Sequence, residues 1–279
     1  MAILTIHSHV SYGHVGNSAV IYPLQRLGHE VWPIHTVLLS HHPGHSGWHG
    51  VKLQSSHINE IFLGIKAHGL LNQCEAVLTG YLGSKNVGHR ALHIWNEVRR
   101  ANPTALIFCD PILGDETEGI YVSKSLISFY REQAIPAADM IFPNRLELEL
   151  LSGIEVVDPH SALIAARQLI DTGPKTVVAT SIPAGENLST ILVTKNTAQQ
   201  VLTPYVKVSV KGAGDLLTAL YIGDMLARNV SPIQTLMAVV NTIYSLLENT
   251  EANDLEEMPL LTIEMPLGNT KPRYRAVSI

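Results

Sequence analysis

Short apolar runs alternate along this chain with longer stretches whose apolar positions recur every three or four residues. The runs at residues 2–6, 31–36, 76–79, 105–109, 140–142 and 176–179 are expected strands. The periodic stretches at 18–27, 57–68, 87–100, 123–133, 161–171, 215–228 and 232–248 are expected helices, several bounded by Gly or Pro. Residues 189–193 and 201–210 add strand material. Residues 181–188 read as turn-rich and 255–279 as irregular. A strand–loop–helix–strand order predicts an α/β fold with a mostly parallel central sheet and helices on both faces. In such a sheet the active site lies at the C-terminal edge of the strands. With no repeat, low-complexity tract or linker, residues 1–279 are expected to form a single domain.

Composition narrows the class. Hydrophobic residues make up 46% of 279, enough for a substantial core. The net charge of −5 leaves no basic excess for nucleic acid or an anionic membrane. No run approaches the ~18 apolar residues of a membrane span. Cys74 and Cys109 are far apart with no CxxC pair, which suits free thiols in a reducing compartment. A cytoplasmic protein is expected.

The candidate chemistry centres on Val210-Lys211-Gly212-Ala213-Gly214-Asp215 and the apolar helix behind it. Glycines allow close approach of a ligand to backbone N–H groups, and a helix start adds unpaired amides and a positive dipole end. The combination suits a phosphate or a developing anion. Asp215 then has two readings. It is a helix N-cap, or it is a general base for a hydroxyl that attacks phosphorus.

Other strand ends carry polar groups. Ser8 follows the first strand. A loop over 38–50 is dense in His, Gly and Pro, including His41, His42 and His45, and reads as a zinc site or as a flexible cover over a substrate. Tyr81 is core or a platform for a ring. Asp110 is a metal-holding carboxylate or a turn cap. Asn144 and Glu147 form a capping box, or Glu147 holds Mg²⁺. Thr180 and Ser181 offer hydroxyls to phosphate or to a turn. One sheet edge would gather all of these, the layout of a phosphoryl-transfer site; the absence of a Gly-x-x-x-x-Gly-Lys-Ser/Thr sequence excludes a P-loop enzyme.

Gly212-Ala213-Gly214-Asp215 with Asn144-Arg145-Leu146-Glu147 resembles the paired signature of the ribokinase-like superfamily. The stretch from Ser8 to Asn17, with Val31-Trp32-Pro33, Gly80-Tyr81-Leu82-Gly83 and Cys109-Asp110-Pro111-Ile112-Leu113-Gly114, is similar to pyridoxal kinases, over the chain up to about residue 250. That resemblance implies ATP-dependent phosphorylation of the 5′-hydroxymethyl group of pyridoxal, with pyridoxine and pyridoxamine as further substrates. It implies Asp215 as base and the amides of Gly212, Ala213 and Gly214 as stabilisers of the moving phosphoryl group. Ser8, Val15 and Tyr81 would meet the ring. Asp110 and Glu147 would organise Mg²⁺ and its waters. Asn144, Thr180, Ser181 and Lys211 would serve ATP. A homodimer and a monovalent cation such as K⁺ are further implications.

Two departures stand out. Pro43-Gly44 stands where the family usually has Thr followed by Gln or Gly; Pro offers neither a hydroxyl nor an N–H, so one substrate contact is missing or replaced, and His42 or His45 is the candidate replacement. The lid at 181–188 is shorter than in many relatives of this type. The rival readings are a hydroxymethylpyrimidine kinase, a non-catalytic pyridoxal 5′-phosphate carrier and a histidine-rich metal-binding protein.

Overall fold

Apolar residues of the first strand face two ways. Leu4 and Ile6 enter one core, and Ile3 enters another on the opposite sheet face. The computed structural model describes residues 2–228, 230–265, 267–268 and 272–279. Its strands are β1 (Ala2–Val10), β2 (Glu30–Leu39), β3 (Gly50–Lys52), β4 (Cys74–Thr79), β5 (Leu106–Cys109), β6 (Gly114–Asp115), β7 (Gly119–Ile120), β8 (Met140–Ile141), β9 (Thr176–Ala184), β10 (Asn187–Thr194), β11 (Ala198–Pro204) and β12 (Ala276–Ser278). The helices are α1 (Asn17–Arg26), α2 (Ser55–Ala67), α3 (Lys85–Ala101), α4 (Lys124–Phe129), α5 (Ile135–Ala137), α6 (Arg145–Ser152), α7 (Pro159–Ile170), α8 (Ala213–Ala227) and α9 (Pro232–Ala252).

Ten strands form one sheet in the order β12-β11-β10-β9-β8-β5-β4-β1-β2-β3. The central run from β9 to β2 is parallel, and antiparallel strands complete both edges. Side chains from α2, α3, α6 and α7 cover one face, and α1, α8 and α9 cover the other. The expected α/β order therefore appears as a mostly parallel sheet between two helical layers.

Three differences from expectation bear on the site. β1 continues through residues 7–10, beyond the expected strand end at residue 6, because His7, His9 and Val10 pair with β2, with a register shift between His7 and His9. Residues 181–188 form a hairpin, not a run of turns. Ile182 is buried and pairs with Ser189, Pro183 pairs with Leu188, and Gly185 makes the turn with φ +67°. Strand structure ends at Pro204, so residues 205–210 lead to the glycine hinge without a ladder. The tail is irregular as expected apart from a 3-10 turn at Leu260–Thr262 and β12; Pro266 and residues 269–271 lie outside the described residues.

Candidate active site

The ends of the parallel strands open into a cavity of about 390 Å³. Ser8, Val15, His42, Tyr81, Asp110, Asn144, Glu147, Thr180, Lys211, Gly212, Gly214 and Asp215 all line it. Ala213 and Ser181 are not on its wall. Ser181 is exposed and holds φ +60°, at an irregularity in the β9–β10 pairing. A non-glycine residue in that region stores strain.

The hinge is built by glycine geometry. Gly212 caps α8 in the left-handed region at φ +84°. A Cβ there would lie 1.8 Å from the His14 carbonyl oxygen, so only glycine fits. Asp215 is not the N-cap. It stands in the first turn of α8, and its Oδ2 accepts the Gly16 N–H at 2.7 Å. Its Oδ1 lies 3.0 Å from His7 Nε2, without hydrogen-bond alignment. His7 Nδ1 accepts the Ser8 N–H at 2.8 Å, which leaves the proton of a neutral ring on Nε2, facing Asp215.

Asp110 follows β5, where its N–H continues the ladder to Thr79. It is buried, and its Oδ2 accepts from the Thr218 hydroxyl at 2.9 Å. Glu147 completes the capping box. Its Oε2 accepts the Asn144 N–H at 2.8 Å and its Oε1 the Leu113 N–H at 2.9 Å, while Asn144 Oδ1 accepts the Glu147 N–H. The two readings of Glu147 are thus not exclusive, since the capping carboxylate also faces the cavity. Burial raises the Asp110 and Glu147 carboxyls above their usual range, and the charges of Glu147 and Asp215 raise Asp110 further. Asp110 and Glu147 offer carboxylate oxygens to the cavity, the donor type that suits a hard divalent cation.

Lys211 pairs with Asp115 at 3.0 Å and Glu118 at 2.9 Å on the β6–β7 hairpin. Burial lowers its pKa, but these two carboxylates outweigh burial and hold it above its usual value. Burial lowers His42. Tyr121, Trp48 and Ile112 also line the cavity, and sequence reasoning passed over them with His7. His7 was concealed because a polar strand end reads as loop. Trp48 and Ile112 lie inside stretches named above but are apolar, and Tyr121 lies outside any of them. Among the described residues, no group of three or more His, Cys, Asp or Glu is arranged to hold a metal, which removes the support for a zinc site in the histidine loop.

The phosphomethylpyrimidine kinase family pattern matches residues 57–256. The chain is 42% identical to pyridoxal kinase PdxY of Rubrobacter xylanophilus, across 98% of this chain and 95% of that one. It is 36% identical to pyridoxal kinase PdxY of Corynebacterium diphtheriae, across 99% and 98%. The solved structure of pyridoxal kinase from Leishmania donovani in complex with ADP and pyridoxamine superposes with a TM-score of 0.91 at 26% identity, covering 100% of this chain and 99% of that one.

Proposed function

This chain belongs to the phosphomethylpyrimidine kinase family, among its pyridoxal kinases, and from that premise we propose that it transfers a phosphoryl group from ATP to the 5′-hydroxymethyl group of pyridoxal. Pyridoxine and pyridoxamine are further acceptors in this reading. The observation that carries it is the position of Asp215. Its carboxylate is held by Gly16 between the Ser8 side of the cavity and the Gly212 turn.

Asp215 takes the proton of the attacking hydroxyl, which makes the oxygen a nucleophile towards phosphorus. The N–H groups of Gly212, Ala213 and Gly214 stabilise the charge that develops on the moving group. Ser8 and Tyr81 orient the ring, and Val15 packs beside it. His42 takes the place left by Pro43. Asn144, Thr180, Ser181 and Lys211 serve the nucleotide. Mg²⁺ supplies neutralising charge for the phosphates, and Asp110 and Glu147 would hold it or its waters. The raised carboxyls fit that role, because a cation relieves their mutual repulsion. A cytoplasmic homodimer using K⁺ completes the reading and rests on the family resemblance alone.

The test is ATP- and Mg²⁺-dependent turnover of pyridoxal, pyridoxine, pyridoxamine and hydroxymethylpyrimidine, with products identified by mass. Phosphorylated pyridoxal is the expected product. A phosphorylated pyrimidine alone would move the chain to the activity that the matched family is described by. No product, with pyridoxal 5′-phosphate still bound, would indicate a carrier.

A further inference from the structure

Past the end of α9 the chain turns back towards the cavity. Met258 is fully buried in the core beneath α8 and α9, which anchors its neighbour Glu257. The Glu257 carboxylate faces the loop between β1 and α1. Its Oε2 accepts the His14 N–H at 3.0 Å and lies 3.6 Å from His14 Nδ1. Its Oε1 comes so near Gly13 that a Cβ there would stand 2.7 Å away. That loop needs support, because Gly13 (φ +92°) and Gly16 (φ +58°) leave its backbone permissive.

The same loop touches the reacting groups. Gly16 donates to Asp215, the His14 carbonyl packs on Gly212, and Val15 forms part of the cavity wall. One unbroken line of contacts therefore runs from Glu257 through His14 to the glycine turn and, through Gly16, to Asp215. A second tie starts nearby, where Glu251 near the end of α9 accepts the Lys207 N–H at 3.2 Å on the segment leading into the hinge. Burial would raise the Glu257 carboxyl, but the His14 N–H and the nearby His14 ring outweigh it and hold its pKa below the usual value.

We propose that Glu257 is a positioning residue, which by accepting the His14 N–H holds the Gly13–Gly16 loop against Asp215 and the Gly212 turn. This rests on the kinase reading above. The tail then has a catalytic purpose, because a displacement of about 1 Å at a reacting group can cost on the order of 100-fold in rate.

The experiment compares Glu257→Ala, Glu257→Asp, Glu257→Gln and Glu256→Ala, with kcat and KM for pyridoxal and ATP measured per folded enzyme and thermal melts run alongside. Alanine removes the acceptor. Aspartate keeps the charge but withdraws it by one methylene. Glutamine keeps an acceptor oxygen at the right reach. We expect kcat to fall roughly 10- to 100-fold in the Ala and Asp variants, with KM for ATP changed less than about 2-fold. Glu257→Gln should stay within about 3-fold of wild type, and Glu256→Ala should match it. A normal kcat in Glu257→Ala or Glu257→Asp, with only a lower melting temperature, would make Glu257 a tail anchor and overturn the proposal. A Gln variant as slow as the Ala variant would overturn the His14 N–H as the means of positioning. Wild type inactive on every acceptor would bring down the kinase reading itself, an outcome separate from either of these.

Discussion

Asp215 carries two contacts that decide what it can do. The Gly16 N–H fixes one carboxylate oxygen, and the buried ring of His7 stands against the other. Neither contact is a helix cap, so the carboxylate is placed for a ligand and not for the helix terminus. Asp215→Asn keeps the shape and the acceptor for Gly16 but removes the base. We expect kcat to fall by on the order of 10²- to 10⁴-fold with ATP binding nearly unchanged, read by turnover and by nucleotide titration. Near-normal turnover would exclude Asp215 as base. Ser8 presents its hydroxyl to the cavity, 3.2 Å from His7 Nδ1. Ser8→Ala should weaken pyridoxal binding by ~1–3 kcal/mol, and an unchanged Kd would place the ring elsewhere. At this scale the sequence disclosed the motif residues but not His7, whose role depends on β1 running four residues further than its apolar run.

The hinge and α8 act as one element. The chain enters the helix through a left-handed residue, and the His14 carbonyl fills the space that a side chain would need. Gly212→Ala therefore meets both a forbidden backbone region and a backbone clash. It should destabilise the protein by ~1–3 kcal/mol or more and reduce kcat together with ATP affinity. Equal melting temperatures for mutant and wild type would mean that the loop over residues 13–15 can withdraw from the turn. The β9–β10 hairpin gives the opposite lesson. Gly, Pro and Ser between residues 181 and 188 signal turns, yet cross-strand pairing and the burial of Ile182 extend both strands through them. Local turn chemistry was outweighed there by a partner strand that the local pattern does not specify.

At the scale of the molecule, the sheet is held between two cores, and one polar knot ties several of its parts. Asp139 accepts the Ile107 N–H at 2.9 Å and pairs with Arg99 at 2.7 Å and Lys175 at 3.2 Å, joining α3, β5 and the entries to β8 and β9. Burial would raise this carboxyl, but these contacts outweigh it and hold it below its usual value of 3.8. A depressed carboxyl stabilises the folded state fully above its unfolded pKa, and that contribution is lost as pH falls through the lower folded value. We expect wild-type stability to decline more steeply than that of Asp139→Asn below about pH 4, measured by denaturant unfolding across pH. Parallel slopes would show that the knot is not ionised as described. No described helix is long and apolar enough to cross a membrane.

Hydrophobic period and element order determined the α/β class, the parallel sheet and the edge where polar groups collect, because these follow from repeating local patterns. The glycine hinge was legible for the same reason, since backbone freedom and an acid in the next turn are written in adjacent residues. The tertiary structure alone decided which polar residues meet. His7 reaches Asp215 across 208 positions of chain, Thr218 reaches Asp110 across 108, and Glu257 reaches His14 across 243. Contacts at such separations arise from how the two helical layers close on the sheet, and no local spacing encodes them.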